Sequence, residues 1–117
     1  MKIYQVDAFS QQLFKGNPAA VLILADWLDD ALMQQIAAEN NLAETAFLKV
    51  IDDTHYEIRW FSPLIEIDFC GHATLASAFV LFKDFTQAKT LYFDVKNLGQ
   101  FIIQQLDDGK ISMNFPI

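Results

Sequence analysis

The chain is poor in cysteine, proline and glycine, with one, three and four of them in 117 residues, and its 8 lysines and arginines face 15 aspartates and glutamates. Each scarcity excludes something. A single thiol cannot close an intrachain disulfide, so the core must hold the fold and nothing demands an oxidising compartment. The net charge of −7 argues against nucleic acid and anionic membrane as partners, because both select basic faces. A small anionic ligand stays open, since a helix N-terminus overrides the global field locally. The opening "MKIYQVDAF" has no apolar signal-peptide core. No apolar run approaches the roughly 18 residues that a membrane span needs. The cytoplasm is the expected compartment. What the chain has in quantity is hydrophobic surface: 53% of residues, eleven of them Phe. That suits one well-filled domain over 1–117, burying roughly two thirds of the surface an unfolded chain exposes.

Patterning divides the chain into short strands and two helices. "KIYQVDAF" is rich in β-formers and opens as a strand, and Gly16-Asn17-Pro18 supplies the turn chemistry of the loop behind it. "AAVLIL" is a short apolar strand of the kind buried on both faces. A helix is expected over about 27–39, capped by Asp26, with Asp29 and Asp30 in its first turn and Leu28, Leu32, Met33, Ile36 and Ala37 at helical spacing. "ETAFLKV" is a strand candidate. "THYEIRWF" alternates, with Tyr56, Ile58 and Trp60 on one face and Glu57 and Arg59 on the other. "SPLIEIDFC" is a loop or short strand that leads to a second helix, over about 71–84. There Leu75, Ala76, Phe79, Val80 and Phe82 cover most of the circumference, and no charge appears before Lys83. An all-round apolar helix is a buried one. "KTLYFDV", "GQFIIQQL" and "KISMNF" are three further strands, with Asp108-Gly109 as the hairpin turn between the last two. The expected fold is α+β: a mostly antiparallel, barrel-like sheet wrapped around the central helix 71–84, with the 27–39 helix outside.

Four clusters carry chemistry-bearing residues. "KGNPAAV" reads as a turn. In "ENNLAETAF", Glu44 precedes an apolar strand; it is either an exposed loop carboxylate or a partly desolvated one fit for moving protons. Arg59 pairs with Glu57 or Glu66, or is solvated. In "FCGHATLASAF", Cys70, Gly71 and His72 stand at a helix N-terminus, whose free N–H groups can cradle a carboxylate. Cys70 is open to two readings, an inert buried thiol or a nucleophile activated by the helix terminus. His55 and His72 are distant from one another and, with one Cys, lack metal-ligand spacing, so no metal is expected. No Walker or GxGxxG loop is present.

In this order, "FKGNPAAV", "ENNLAETAF" and "RWFSPLIEIDFCGHATLASA" resemble the phenazine biosynthesis PhzF-like family, which shares the diaminopimelate epimerase fold, and the resemblance covers essentially the whole chain. It implies an isomerase or epimerase that moves a proton on a small carboxylate substrate with no cofactor or metal. Glu44 matches the family's acid/base glutamate. Gly71, His72 and Ala73 fall where the substrate is seated. Cys70 falls where related epimerases and racemases hold a catalytic thiol. Members of the family usually carry two such domains around a cleft, and 1–117 corresponds to the N-terminal one. The second wall is then expected from a homodimer partner or from a separate second-half chain. The alternatives are a catalytically silent half-domain with a binding or structural role, and a thiol-based, racemase-like homodimer.

Overall fold

The computed structural model describes residues 3–6 and 18–114. Gly16 and Asn17 of the loop motif, and the stretch of the first expected strand beyond residue 6, lie outside them. The elements run β1 (Ile3–Val6), β2 (Ala19–Leu24), α1 (Asp30–Asn40), β3 (Glu44–Val50), β4 (His55–Phe61), β5 (Glu66–Ile67), α2 (Gly71–Asp84), β6 (Thr90–Val95), β7 (Gly99–Gln105) and β8 (Ile111–Asn114). All the strands join one sheet in the order β1-β2-β3-β4-β6-β7-β8, with β5 paired beside the end of β4. Most neighbours are antiparallel, but β2 pairs parallel with β3, and β4 with β6.

Those two parallel pairs decide where the helices go. A parallel pair needs a crossover, and each crossover here is one helix: α1 between β2 and β3, α2 between β4 and β6. Both crossovers step the same way across the sheet, while β3 and β4 are antiparallel. Right-handed crossovers must therefore place the two helices on opposite faces. The packing records this. Met33 and Ala37 of α1 bury against Leu22, Leu24, Phe47 and Phe61. The larger core gathers Ala19, Val21, Ala46, Leu48, Ile58, Trp60, Leu91, Phe93 and Ile103 around α2. Strand β2 sends residues to both cores, as its unbroken apolar run required. Helix α2 packs on β2 and β3 at one side and on β8 at the far end of the sheet path, so the sheet wraps around it. Among the described residues, no helix is long and apolar enough to cross a membrane.

Two sequence expectations need correction. Helix α1 starts at Asp30 with Asp29 at its N-cap, not near 27 under an Asp26 cap. The Asp26 carboxylate instead accepts the Trp27 N–H at 2.8 Å and faces Lys49 at 3.7 Å, which fixes a turn ahead of the helix. Leu32 is on the exposed side of α1, whereas Leu28 and Ile36 flank the buried Met33 and Ala37. The helix ends where Asn41 turns left-handed, with φ of 52°.

Helix α2 has the expected bounds, but its burial comes from small side chains. Ala73, Thr74, Ala76, Ser77 and Ala78, with Val80 and Leu81, are buried. Leu75, Phe79 and Phe82 are only half-buried. A helix enclosed by a curved sheet approaches it closely, which leaves room for little beyond a methyl or hydroxyl on the contact side. The two buried hydroxyls are satisfied within the helix: Thr74 Oγ1 donates to the Cys70 carbonyl and Ser77 Oγ to that of Ala73, both at 2.7 Å.

Arg59 is a tie between elements. It donates to both Glu66 oxygens at 2.8 Å and to Asp30 at 3.0 Å, joining β5 and the start of α1 to β4. Its guanidinium lies over the Trp27 and Phe61 rings, 5.4 and 5.5 Å from their centroids. At the other end of β4, Asp52 accepts the Thr54 N–H at 2.9 Å, meets the His55 ring at 3.0 Å and accepts the His55 N–H at 2.9 Å, which together hold its carboxyl down at about 2. The Asp108-Gly109 turn forms as expected, with Gly109 at φ 85° donating its N–H to Leu106.

Because the half-buried Phe79 sits at the margin of the α2 core, truncating it should cost less than truncating an enclosed ring. Phe93→Ala should lower unfolding free energy by about 3–5 kcal/mol. Phe79→Ala should lose clearly less in the same denaturant titration. Equal losses would mean that α2 is enclosed on every side.

Candidate active site

Strand alternation brings Glu44 to the interior. Residues 44, 46 and 48 of β3 share one side, and Ala46 and Leu48 belong to the core around α2. Register then places the helix opposite. Ala46 pairs with Trp60 on β4. The Trp60 indole N–H donates to Thr74 Oγ1 at 3.0 Å, and Thr74 Oγ1 donates onward to the carbonyl of Cys70, one helical turn earlier. The first turn of α2 is thereby held across from the start of β3.

The result is a convergence of three side chains far apart in sequence. Glu44 Oε1 contacts His72 Nε2. Cys70 Sγ lies 3.7 Å from Nδ1 and 3.9 Å from Nε2 of the same ring. One ligand-type atom from each of Glu44, Cys70 and His72 falls within 4.8 Å of the others. The Glu44 side chain is 18% exposed and that of His72 26%, so both are shielded but reachable. Glu44 is thus not an exposed loop carboxylate: it opens β3 with its side chain largely shielded. Sequence spacing gave no sign of this set, because its carboxylate belongs to a different element.

Gly71, His72 and Ala73 form the first turn of α2 behind Cys70 at the N-cap. The first amide with a partner four residues back is Thr74, which donates to the Cys70 carbonyl at 3.1 Å. The amides of Gly71, His72 and Ala73 precede it and are the positive end of the helix. A methyl added at Gly71 would meet only the Phe69 ring, at 3.6 Å, so the fold itself does not demand glycine there.

The thiol is not activated. Burial, with the Glu44 carboxylate beside it, pushes Cys70 up to about 11, and the His72 and Ala73 amides only partly oppose that. His55 is elsewhere: it stacks on Tyr92 at 4.6 Å and meets Asp52, at the opposite end of β3 and β4 from Glu44. A hollow of about 420 Å³ also lies away from the cluster, between Trp27, Arg59 and Lys96. Arg59 there is already engaged by Asp30 and Glu66, and Glu57 by Trp27.

The chain is similar to several known proteins. The profile of the family described as phenazine biosynthesis-like protein matches residues 6–117. An uncharacterised isomerase of Pseudomonas aeruginosa is 47% identical over 116 residues, covering 99% of this chain and 44% of that protein. The crystal structure of a PhzF-family phenazine biosynthesis protein of Enterococcus faecalis superposes with a TM-score of 0.79 at 50% identity, over 90% of this chain and 40% of that one. A Pseudomonas aeruginosa protein described as a predicted epimerase superposes with a TM-score of 0.73 at 25% identity, over 90% of this chain and 39% of that one. The chain thus spans less than half the length of these relatives.

The raised thiol makes a direct prediction. Its proton is held above the ordinary thiol range, so alkylation of folded Cys70 by iodoacetamide should be slow near neutrality. The rate should still be climbing at about pH 10, beyond the plateau of an ordinary thiol. Glu44→Gln, which removes the neighbouring charge, should shift the profile to lower pH. Fast alkylation at pH 7 would contradict the environment described.

Proposed function

The chain belongs to the phenazine biosynthesis-like family, and from that premise we propose that it forms the acid/base wall of an isomerase that moves a proton on a small carboxylate substrate without a cofactor. The observation that carries the reading is the meeting of the shielded Glu44 carboxylate with the first turn of α2. The substrate carboxylate docks at the N-terminus of α2, beside Gly71, His72 and Ala73, where the helix terminus favours negative charge. Glu44 takes a proton from a neighbouring carbon. The electron pair left behind spreads into the substrate's conjugated system, and Glu44, once its proton has exchanged with solvent, delivers one to a different carbon. Substrate and product are then isomers, and Glu44 ends as it began, a carboxylate. His72, against Glu44 Oε1, orients that carboxylate. Cys70, protonated, is a neighbour and not the base.

The same thiol weighs against the racemase-like alternative, which needs a thiolate near neutrality. The second wall of the cleft is supplied by the part of the family's length that residues 1–117 do not span, or by a second copy of this chain. Leu64 (85% exposed), Ile65 (61%) and Phe69 (40%), on the segment leading into α2, are the apolar residues it would cover.

The test is deuterium wash-in, followed by NMR, on a panel of small cyclic and amino-acid-like carboxylates, with the chain alone and with a second-half chain supplied. Wild type should exchange one substrate C–H position. Glu44→Gln should lower that exchange by about 10²–10⁴-fold with circular dichroism unchanged, and Cys70→Ser should lower it much less. Loss in Cys70→Ser with activity kept in Glu44→Gln would replace this reading with the thiol-racemase one. No exchange under any condition would favour a silent half-domain.

A further inference from the structure

We infer that Glu44, Cys70 and His72 together form a binding site for a thiophilic divalent cation, with zinc the expected ion. The three side chains offer a carboxylate oxygen, a sulfur and an imidazole nitrogen, all within 4.8 Å of one another. Zinc accepts these three donor types and commonly takes three protein ligands with a fourth position open to water. Mixed thiolate and imidazole donors favour zinc over magnesium or calcium, which prefer oxygen alone.

With Zn–S near 2.3 Å and Zn–N near 2.0–2.1 Å, a tetrahedral edge from sulfur to the bound nitrogen is about 3.6 Å. Cys70 Sγ is 3.7 and 3.9 Å from the two His72 nitrogens, so the separation suits either one, and the ring must turn to aim one lone pair at the ion. Glu44 contacts the ring directly and must move outward to admit an ion. Its carboxylate stands at the first residue of β3, at the edge of the strand's apolar run. The partial exposure of Glu44 and His72 supplies an entry path, while the backbone behind the thiol is fixed: the Cys70 carbonyl accepts both the Thr74 hydroxyl and the Thr74 amide. Preorganised backbone of this kind is what a metal site requires of its surroundings.

Metal binding stands apart from the isomerase reading. Its consequence rests on that reading: an ion that pins Glu44 and His72 occupies the proton-transfer group, so zinc would act as a reversible inhibitor of the site.

Cobalt(II) is the probe, because the sequence makes its spectrum unambiguous. The chain has one cysteine and two histidines, so a thiolate-to-cobalt charge-transfer band can come only from Cys70. Titration of the folded chain with Co²⁺ should give that band with one-to-one stoichiometry, and Zn²⁺ should abolish it by displacement. Cys70→Ser should remove the band. His72→Gln should weaken binding at least as much as loss of a group behind a ligand, about 10–100-fold. His55→Ala should change nothing. A wild-type titration without the band overturns the proposal, with no variant needed. Binding that survives both Cys70→Ser and His72→Gln but fails in His55→Ala also overturns it, placing the ion at the His55–Asp52 end. A band in a chain that shows no proton exchange leaves the metal site standing and removes only its inhibitory meaning.

Discussion

One buried hydrogen-bonded relay organises the molecule: the Trp60 indole to the Thr74 hydroxyl, and that hydroxyl to the Cys70 carbonyl. Trp60 and Thr74 are 1% and 0% exposed, so neither polar group has water as a substitute. An unpaired buried donor or acceptor costs roughly 1–3 kcal/mol, and the relay pairs two donors with two acceptors. It also does what apolar packing cannot, because packing along a smooth stripe of Ala, Ser and Val leaves a helix free to slide or rotate. A directional bond from the sheet to the first turn fixes α2 in both respects. The position of Cys70, Gly71 and His72 relative to Glu44 follows.

The sheet supplies the other half of that geometry. Since β3 and β4 run in opposite directions while the chain steps across the sheet one way, the two crossover helices take opposite faces. The face with α2 receives residues 44, 46 and 48 of β3, and the face with α1 receives Phe47. Glu44 is therefore drawn inward by the same alternation that buries Ala46 and Leu48, one residue pair beyond the apolar core. Its carboxylate is part-shielded because it continues a core face past the point where the core ends. The neighbouring thiol responds in the expected direction, its proton held by burial and by the charge beside it.

Much of this was legible in the sequence because it is local. The alternation of Tyr56, Ile58 and Trp60, the uncharged run from Gly71 and the Asp108-Gly109 turn each report on a few adjacent residues, and each reappears in the fold. The start of α1 was misplaced because Asp26 and Asp29 are equally good caps by composition. Asp26 faces Lys49, from a strand not adjacent in sequence, and Asp29 takes the N-cap position without a side-chain bond to the helix. The bulky residues of α2 dominate its sequence pattern, but the curvature of a sheet formed by distant strands allots the buried surface to Ala and Ser. The approach of Glu44 to Cys70 and His72 depends on strand register and on the Trp60–Thr74 bond, both long-range. No spacing rule contains them; the motif resemblance pointed to the residues, and the register accounts for their meeting.

The central claim is that the Trp60–Thr74 bond holds α2 against the sheet, and a double-mutant cycle measures it most directly. Trp60→Phe removes the donor and keeps a ring, while Thr74→Val removes the hydroxyl and keeps the shape. Unfolding free energies of wild type, both single variants and the double variant should give a coupling of about 1–3 kcal/mol, because each single change strands a buried polar partner and the double change strands fewer. Additive losses, with coupling under about 0.5 kcal/mol, would contradict the account and leave the placement of α2 to apolar packing alone.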